Sequence, residues 1–444
     1  MNDSTSTNKG FLEKFFKLNE RKTNLKTEIL AGLTTFITLA YIIFVNPQIL
    51  SEAGIPKEAA IAATIWSSVV ATILMAFLAN YPIVVAPGMG LNAFFTYTVV
   101  MQFGLHWTVA LGAVFFSGIV FLILTVTKIR AWMIDAVPPS LRAAITVGIG
   151  LFIAFIGLQN AGIVVKSDST LVQFGHILLP ETLMALFGLL LAAILMSRNI
   201  KGALIISILT TTVVAMIFKI APTPKGIGDI ISFHIPSLAP TFGKLNIVSA
   251  FHYGLLNIIF TFTIVELFDN MGTLMGLLKK AGLMGDTGQP KDLGKAFVAD
   301  SIGTMISPVL GTCTVTSYIE SATGIAEGGK TGLTGLTAAV LFVLALFLAP
   351  LVGLVPAFAT APALIIVGAL MLMEIQHVNF NDLTDAFPVF LTVVGMPLTY
   401  SIATGMGLGF ISYTIVKLFT GKYKEIHWMM YIIAAAFAIN FILR

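Results

Sequence analysis

Apolar runs of bilayer length follow one another along almost the whole chain, separated by short polar connections. After a polar opening segment, residues 1–28, they fall at 29–50, 59–79, 108–127, 141–157, 181–197 and 201–219, with a shorter helix at 90–103. Beyond a polar connection at 220–251 the pattern resumes at 252–278, 294–310, 318–331, 333–355, 361–376, 386–401 and 403–419. Most runs match the roughly 20 residues that a helix needs to cross hydrocarbon. The run at 90–103 does not: about 14 residues reach only about 21 Å as helix. The preceding Pro82-Ile-Val-Val-Ala-Pro87 stretch must then cover the remaining depth in extended form.

A similar break falls in the second half. Thr312, Thr314, Val315 and Thr316 favour extended backbone. Ser317 with Glu320 three residues later reads as a capping box, so a helix is expected to start at or near Ser317. The short helix thus stands third in each group of seven. Ser140–Gly148 echoes Thr360–Gly368, and Gly202–Ser207 echoes Gly407–Ser412. Two repeats follow, and an odd number of spans per repeat makes the second inverted relative to the first. The expected fold is an all-α polytopic membrane protein of two inverted seven-span repeats, about fourteen transmembrane segments, with short β-strands before half-helices 3 and 10. The repeats cover 29–219 and 252–419, and the C-terminal segment 420–444 carries an extra apolar run at 427–442.

Composition agrees. Hydrophobic residues make up 57% of the chain and charged residues 10%, with mean hydropathy +0.95, which excludes an ordinary soluble domain. One cysteine, Cys313, excludes an internal disulfide and a multi-cysteine metal site, and no metal or cofactor is expected. The net charge of +4 is read by side of the membrane, and not as a nucleic-acid surface. Lys128, Arg130, Arg142, Arg198, Lys201, Lys279, Lys280, Lys291, Lys295, Lys417, Lys422 and Lys424 all fall on the side of the N-terminus. That side is therefore expected to be cytoplasmic, in the cell membrane, with Lys166 the exception and Lys219, Lys225 and Lys244 diluted in the longer outer connection. The opening segment lacks the cleavage pattern of a signal peptide.

Chemistry concentrates at three places. Glu320 sits at the second break, where helix-end N–H groups and the helix dipole favour a polar site at mid-depth. At the first break Gly88 and Gly90 permit close approach, and Asn92 offers an amide that both donates and accepts. In the eighth run Glu266 and Asp269 are three apart and share a helix face. Ionised acids in hydrocarbon cost several kcal/mol unless they line a cavity or carry a proton, which makes them functional candidates. Enzyme motifs fail on context. Gly226-Ile-Gly-Asp229 lies in the outer connection, and Gly324–Thr331 fits the letters of a phosphate-binding loop but closes a membrane helix. No His-Glu-x-x-His or Gly-x-Ser-x-Gly is present, and no enzyme activity is expected.

Four long segments carry a family resemblance: Ala31–Pro47; the Ala-Pro-Gly-Met-Gly-Leu-Asn-Ala-Phe-Phe run ending at Phe95; Glu266–Leu274; and Thr314–Leu333. They resemble the AzgA-like purine permeases of the nucleobase–cation symporter-2 group, in the family's order and over almost the whole chain. The resemblance implies a fold split into core and gate parts, and uptake of hypoxanthine, guanine or adenine with protons. It implies binding roles for Gly90, Asn92, an acid of the eighth run and Glu320; the expected substrate-binding set is Gly90, Asn92, Glu266, Ser317 and Glu320, and buried-carboxyl chemistry adds Glu266, Asp269 and Glu320 as candidates for proton coupling. Glu266 stands where relatives often have Asp, which leaves open whether it or Asp269 touches the base. A purine offers N–H donors beside acceptors, so carboxylates, amides and stacking rings such as Phe94 or Phe95 suit it. The alternatives are a uracil, xanthine or anion carrier of the same fold, or a channel. The lipid bilayer is an expected partner, and a homodimer is possible.

Overall fold

The computed structural model describes residues 11–127, 129–252, 256–284, 290 and 292–442. Residues 1–10 of the opening segment, Lys128, Lys291 and the final residues 443–444 lie outside the described residues.

The helices follow the expected order. Span 1 comprises Leu25–Leu39 and Ile42–Glu52, and span 2 is Lys57–Leu78. Span 3 is the half-helix Met89–Ala93 running into a π-helical Phe94–Gln102. Spans 4 to 7 are Trp107–Val126, Pro139–Asn160, Pro180–Ser197 and Ala203–Ile217. In the second repeat, spans 8 to 10 are Leu256–Lys280, Leu293–Leu310 and the half-helix Ser321–Ala326. Spans 11 to 14 are Gly332–Leu354, Ala357–Leu372, Leu383–Thr399 and Ile402–Phe419. Asn24, Thr331, Asp382 and Ser401 each accept a backbone N–H at the heads of spans 1, 11, 13 and 14, satisfying donors that the first turn leaves free. Among the described residues nine of these segments are long and apolar enough to cross a membrane. The other five are the half-helices 3 and 10 and spans 7, 9 and 13.

Strand β1, Val85–Pro87, precedes span 3; β2, Val164–Ser167, and β3, Leu171–Phe174, form a hairpin between spans 5 and 6; β4, Val315–Ser317, precedes span 10. Strands β1 and β4 pair antiparallel, with Val85 opposite Ser317 and Pro87 opposite Val315. Gly88 N–H donates to the Thr314 carbonyl at 3.0 Å and Tyr318 N–H to the Val84 carbonyl at 3.0 Å, extending the ladder past both ends. Backbone this deep must be satisfied within the protein, and two short strands of opposite direction satisfy each other. Their antiparallel pairing also sends the two half-helices away from the crossing in opposite directions. The helix of span 10 starts at Ser321, later than the sequence suggests, because Ser317 is committed to the ladder. Glu320 occupies its N-cap without a side-chain cap bond, so no capping box forms.

Two bodies result. Spans 1–4 and 8–11 pack together as a core, with span 9 against spans 2 and 4 and span 11 against spans 1 and 2. Spans 5–7 and 12–14 form a gate around the contact of span 5 with span 12. Core and gate touch sparingly, chiefly through spans 3 and 8 against span 5 and span 1 against spans 7 and 12. The extra run is a helix, Trp428–Ile442, lying against span 14 and against a short helix, Ile129–Ala136.

Candidate functional site

Where the half-helices meet, a cavity of about 460 Å3 opens between core and gate, within the ~300–1,000 Å3 typical of small-molecule sites. The core supplies most of its polar side chains, and the gate contributes mainly aliphatic ones with Thr146 and Glu374. Glu320 faces the cavity, and Oε1 accepts a 2.6 Å hydrogen bond from the Tyr41 phenol. Asp269 lines it beside the hydroxyl of Thr316. Ser317 is only 3% exposed, yet its Oγ has no hydrogen-bond partner in the protein and borders the same space. Opposite stand Ile149 and Ile153 of span 5 with Val367, Leu370 and Met371 of span 12.

Gly90 borders the cavity and also lets the bodies meet: a Cβ there would lie 2.5 Å from Ile149 Cγ2. The remaining candidates lie elsewhere. Asn92 is fully buried, does not line the cavity, and donates its amide to Asn46 Oδ1. Asn46 in turn donates to Thr64 at 2.8 Å and Thr312 at 3.2 Å, so Asn92 belongs to a dry network joining spans 1, 2 and 3. Phe94 and Phe95 are buried outside the cavity, Phe94 edge-on to Phe262 at 5.0 Å; the cavity's rings are Tyr41 and Tyr318.

Span 8 divides its two acids. Asp269 lies with Gly272, Thr273 and Gly276 on the cavity face. Glu266 lies with Asn270 on the face toward span 9, where Glu266 Oε1 accepts from the Thr304 hydroxyl and Oε2 is unpartnered. Asn270 donates to Asp300 of span 9 and accepts the Ser317 N–H at 3.3 Å. Asp300 is fully buried, with Oδ1 unpartnered. The sequence reading missed this residue, although an acid inside the run 294–310 was a visible signal. A second buried acid thus stands one hydrogen-bonded residue, Asn270, from the strand that borders the cavity.

One end of the cavity is lined by Lys280 and Glu374 at the ends of spans 8 and 12. Toward the opposite side, core meets gate: Thr98 donates to the Tyr400 carbonyl at 2.7 Å, and Tyr400 rests edge-on against Tyr97 and Phe152 at 6.0 and 5.4 Å. The phosphate-loop letters of Gly324–Thr331 mark the turn between spans 10 and 11. There the N–H groups of Lys330 and Thr331 donate to the buried Glu28 carboxylate at 2.9 and 3.3 Å, so the chain's own anion fills the cradle. Cys313 is fully buried, its Sγ 3.5 Å from the Leu91 carbonyl.

A crossed pair of short strands, two opposed half-helices and a cavity between two helical bodies define a membrane transporter fold. Residues 26–408 match the family model Xan_ur_permease, described as Permease family. The chain belongs to that permease family and, with its many apolar helices, is a multi-pass membrane protein. It is 51% identical to MJ0326 of Methanocaldococcus jannaschii, provisionally named a permease, over 97% of this chain and 98% of the other. It is 44% identical to the guanine/hypoxanthine permease PbuO of Bacillus subtilis, covering 96% and 99%, and 42% identical to the adenine permease AdeP of Escherichia coli K12, covering 98% and 97%. These relatives agree with the resemblance read from the four segments. Among solved structures, the transmembrane domain of the cyanobacterial bicarbonate transporter BicA superposes with a TM-score of 0.65 at 17% identity, covering 87% of this chain and 97% of that one. At that identity the likeness speaks for fold alone.

Proposed function

We propose that the protein imports purine nucleobases, namely hypoxanthine, guanine or adenine, by symport with protons through alternating access. The observation that carries this reading is the convergence of two carboxylates, Asp269 and Glu320, and a free hydroxyl, Ser317, on one cavity that branched aliphatic side chains of the gate also line. Carboxylates accept ring and exocyclic N–H groups, the hydroxyl serves an acceptor on the base, and the gate side chains cover the ring face. The purine permeases among the relatives support the same substrate class. An anion would call for a cation beside the acids, whereas the cavity's Lys280 stands at the end of span 8.

The end of the cavity lined by Lys280 is the lysine-rich end of span 8, which the positive-inside rule makes cytoplasmic. The arrangement is then inward-facing, with the Thr98–Tyr400 contact sealing the outer side, and we assign 1–28 and the connection 420–426 to the cytoplasm of the cell and 220–251 to the outside. For coupling, Glu266 and Asp300 each keep an oxygen without a protein donor in a buried interface, where a carboxyl group is stable only when paired or carrying a proton. Asn270 links that interface to Ser317, so binding at the cavity and proton loading share one strand.

The test is uptake of labelled hypoxanthine into proteoliposomes under an inward proton gradient, competed by unlabelled guanine, adenine, xanthine and uracil. Saturable uptake that collapses with a protonophore and is competed by the purines is the expected result. Competition by uracil or xanthine alone would move the substrate class, and ohmic current would make the protein a channel.

A further inference from the structure

We propose that Tyr41 is a positioning residue: by donating its phenol O–H to Glu320 Oε1 it fixes that acid so that its second oxygen meets an N–H of the transported base. This rests on the purine reading of the same cavity and adds to it a residue that the sequence patterns do not single out.

Span 1 is interrupted at Ala40 and Tyr41, between Leu39 and Ile42, and the chain turns there through tight bonds, Ile43 N–H to the Ala40 carbonyl at 3.1 Å and Phe44 N–H to the Tyr41 carbonyl at 3.0 Å. A side chain in such a break leaves the helix surface at mid-length. Tyr41 is fully buried, lines the cavity and reaches Glu320 from 279 positions away in the chain. Its distance of 2.6 Å lies in the range of O–H···O⁻ bonds, about 2.5–2.7 Å, which are among the stronger hydrogen bonds.

Glu320 needs such a partner. Its side chain makes no cap bond to the helix that it heads, and an unanchored glutamate samples several rotamers, whose loss on binding weakens affinity. The phenol removes that freedom before the ligand arrives. It also sets polarity: when the acid is ionised, the phenol holds Oε1 and leaves Oε2 to the cavity as an acceptor, which favours ligands presenting an N–H there. Span 8 is the repeat counterpart of span 1, and each contributes a polar group to the cavity from mid-length, Asp269 and Tyr41.

A packing role, a hinge role and a positioning role separate on Tyr41→Phe, which keeps the ring and removes one oxygen. In proteoliposomes taking up labelled hypoxanthine, KM should rise about tenfold or more, as for loss of a hydrogen bond to a charged group. Vmax should stay within about twofold, since the effect falls on binding, and the melting temperature should not change. In a Glu320→Asp background the shorter acid retreats from the phenol, so Tyr41→Phe should add less than about twofold there. Should Tyr41→Phe fail to fold, Tyr41→His, which returns an N–H donor on a ring, is compared with Tyr41→Leu and should bind more tightly. The proposal is overturned by a wild-type KM in Tyr41→Phe, by a loss of Vmax at constant KM, by an undiminished cost in the Glu320→Asp background, or by equal affinities of the His and Leu variants. Wild-type protein that takes up no purine would instead refute the functional reading beneath it.

Discussion

The two strand-to-helix breaks occupy equivalent places in the inverted repeats, yet they carry different chemistry. In the first, β1 runs into Met89–Ala93, and its polar residue Asn92 turns away from the cavity into a dry network with Asn46, Thr64 and Thr312. In the second, β4 runs into Ser321–Ala326, and Ser317 and Glu320 border the cavity. Symmetry of backbone therefore does not extend to the site. The first break contributes close packing, through Gly90 against Ile149; the second lines the cavity with a hydroxyl and a carboxylate.

The largest test of that contrast is Glu320→Gln, which should leave the protein folded in the membrane and reduce hypoxanthine affinity by about a hundredfold or more, as for a charged hydrogen-bonding partner in a desolvated site. Near-normal affinity in an equilibrium binding assay would remove the second break from the site. Next comes the division within span 8. Asp269→Asn should weaken binding by about tenfold or more. Glu266→Gln should bind almost normally and support counterflow, but should lose accumulation driven by a proton gradient. Both variants still concentrating purine under that gradient would rule out span 8 as the coupling element.

Asn92→Ala is a smaller effect of another kind. The sequence alone would place its cost in binding; the network around Asn46 places it in stability, about 1–3 kcal/mol for a buried amide left unpaired, with affinity nearly unchanged. A scan of melting temperature against Kd separates the two. Smallest of all is Lys201→Ala, which breaks an ion pair with Glu327 between the head of span 7 and the turn after span 10. Half-exposed pairs are worth about 0–1 kcal/mol, so transport should stay within about twofold; a larger change would mean that core and gate are balanced on that contact.

The architecture was legible because each break wrote itself in residues: Pro82–Pro87 and Thr312–Thr316 cannot continue a helix comfortably, and the runs around them have bilayer length. The start of span 10 was misplaced because Ser317 pairs with Val85, a contact across most of the chain that no local signal encodes. The spacing of Glu266 and Asp269 puts them on one face, but the boundary between cavity and packing falls between them, set by where span 9 lies. Tyr41 and Asp300 were passed over for a related reason. A tyrosine in an apolar run reads as interface or core, and a lone aspartate inside a run carries no signal of its partner, until the neighbouring helix shows what each one meets.

The chain's one cysteine has a practical consequence. Cys313 is sealed beneath the crossed strands, and thiol reagents carried by water need both access and a thiolate. To such a reagent the native protein is blank, so a maleimide would read single cysteines introduced at Thr273 or Thr98 directly, the first on the cavity wall and the second where core meets gate beside Tyr400. Their labelling rates, compared with and without hypoxanthine, would time the opening of each side in a chain whose own chemistry stays silent.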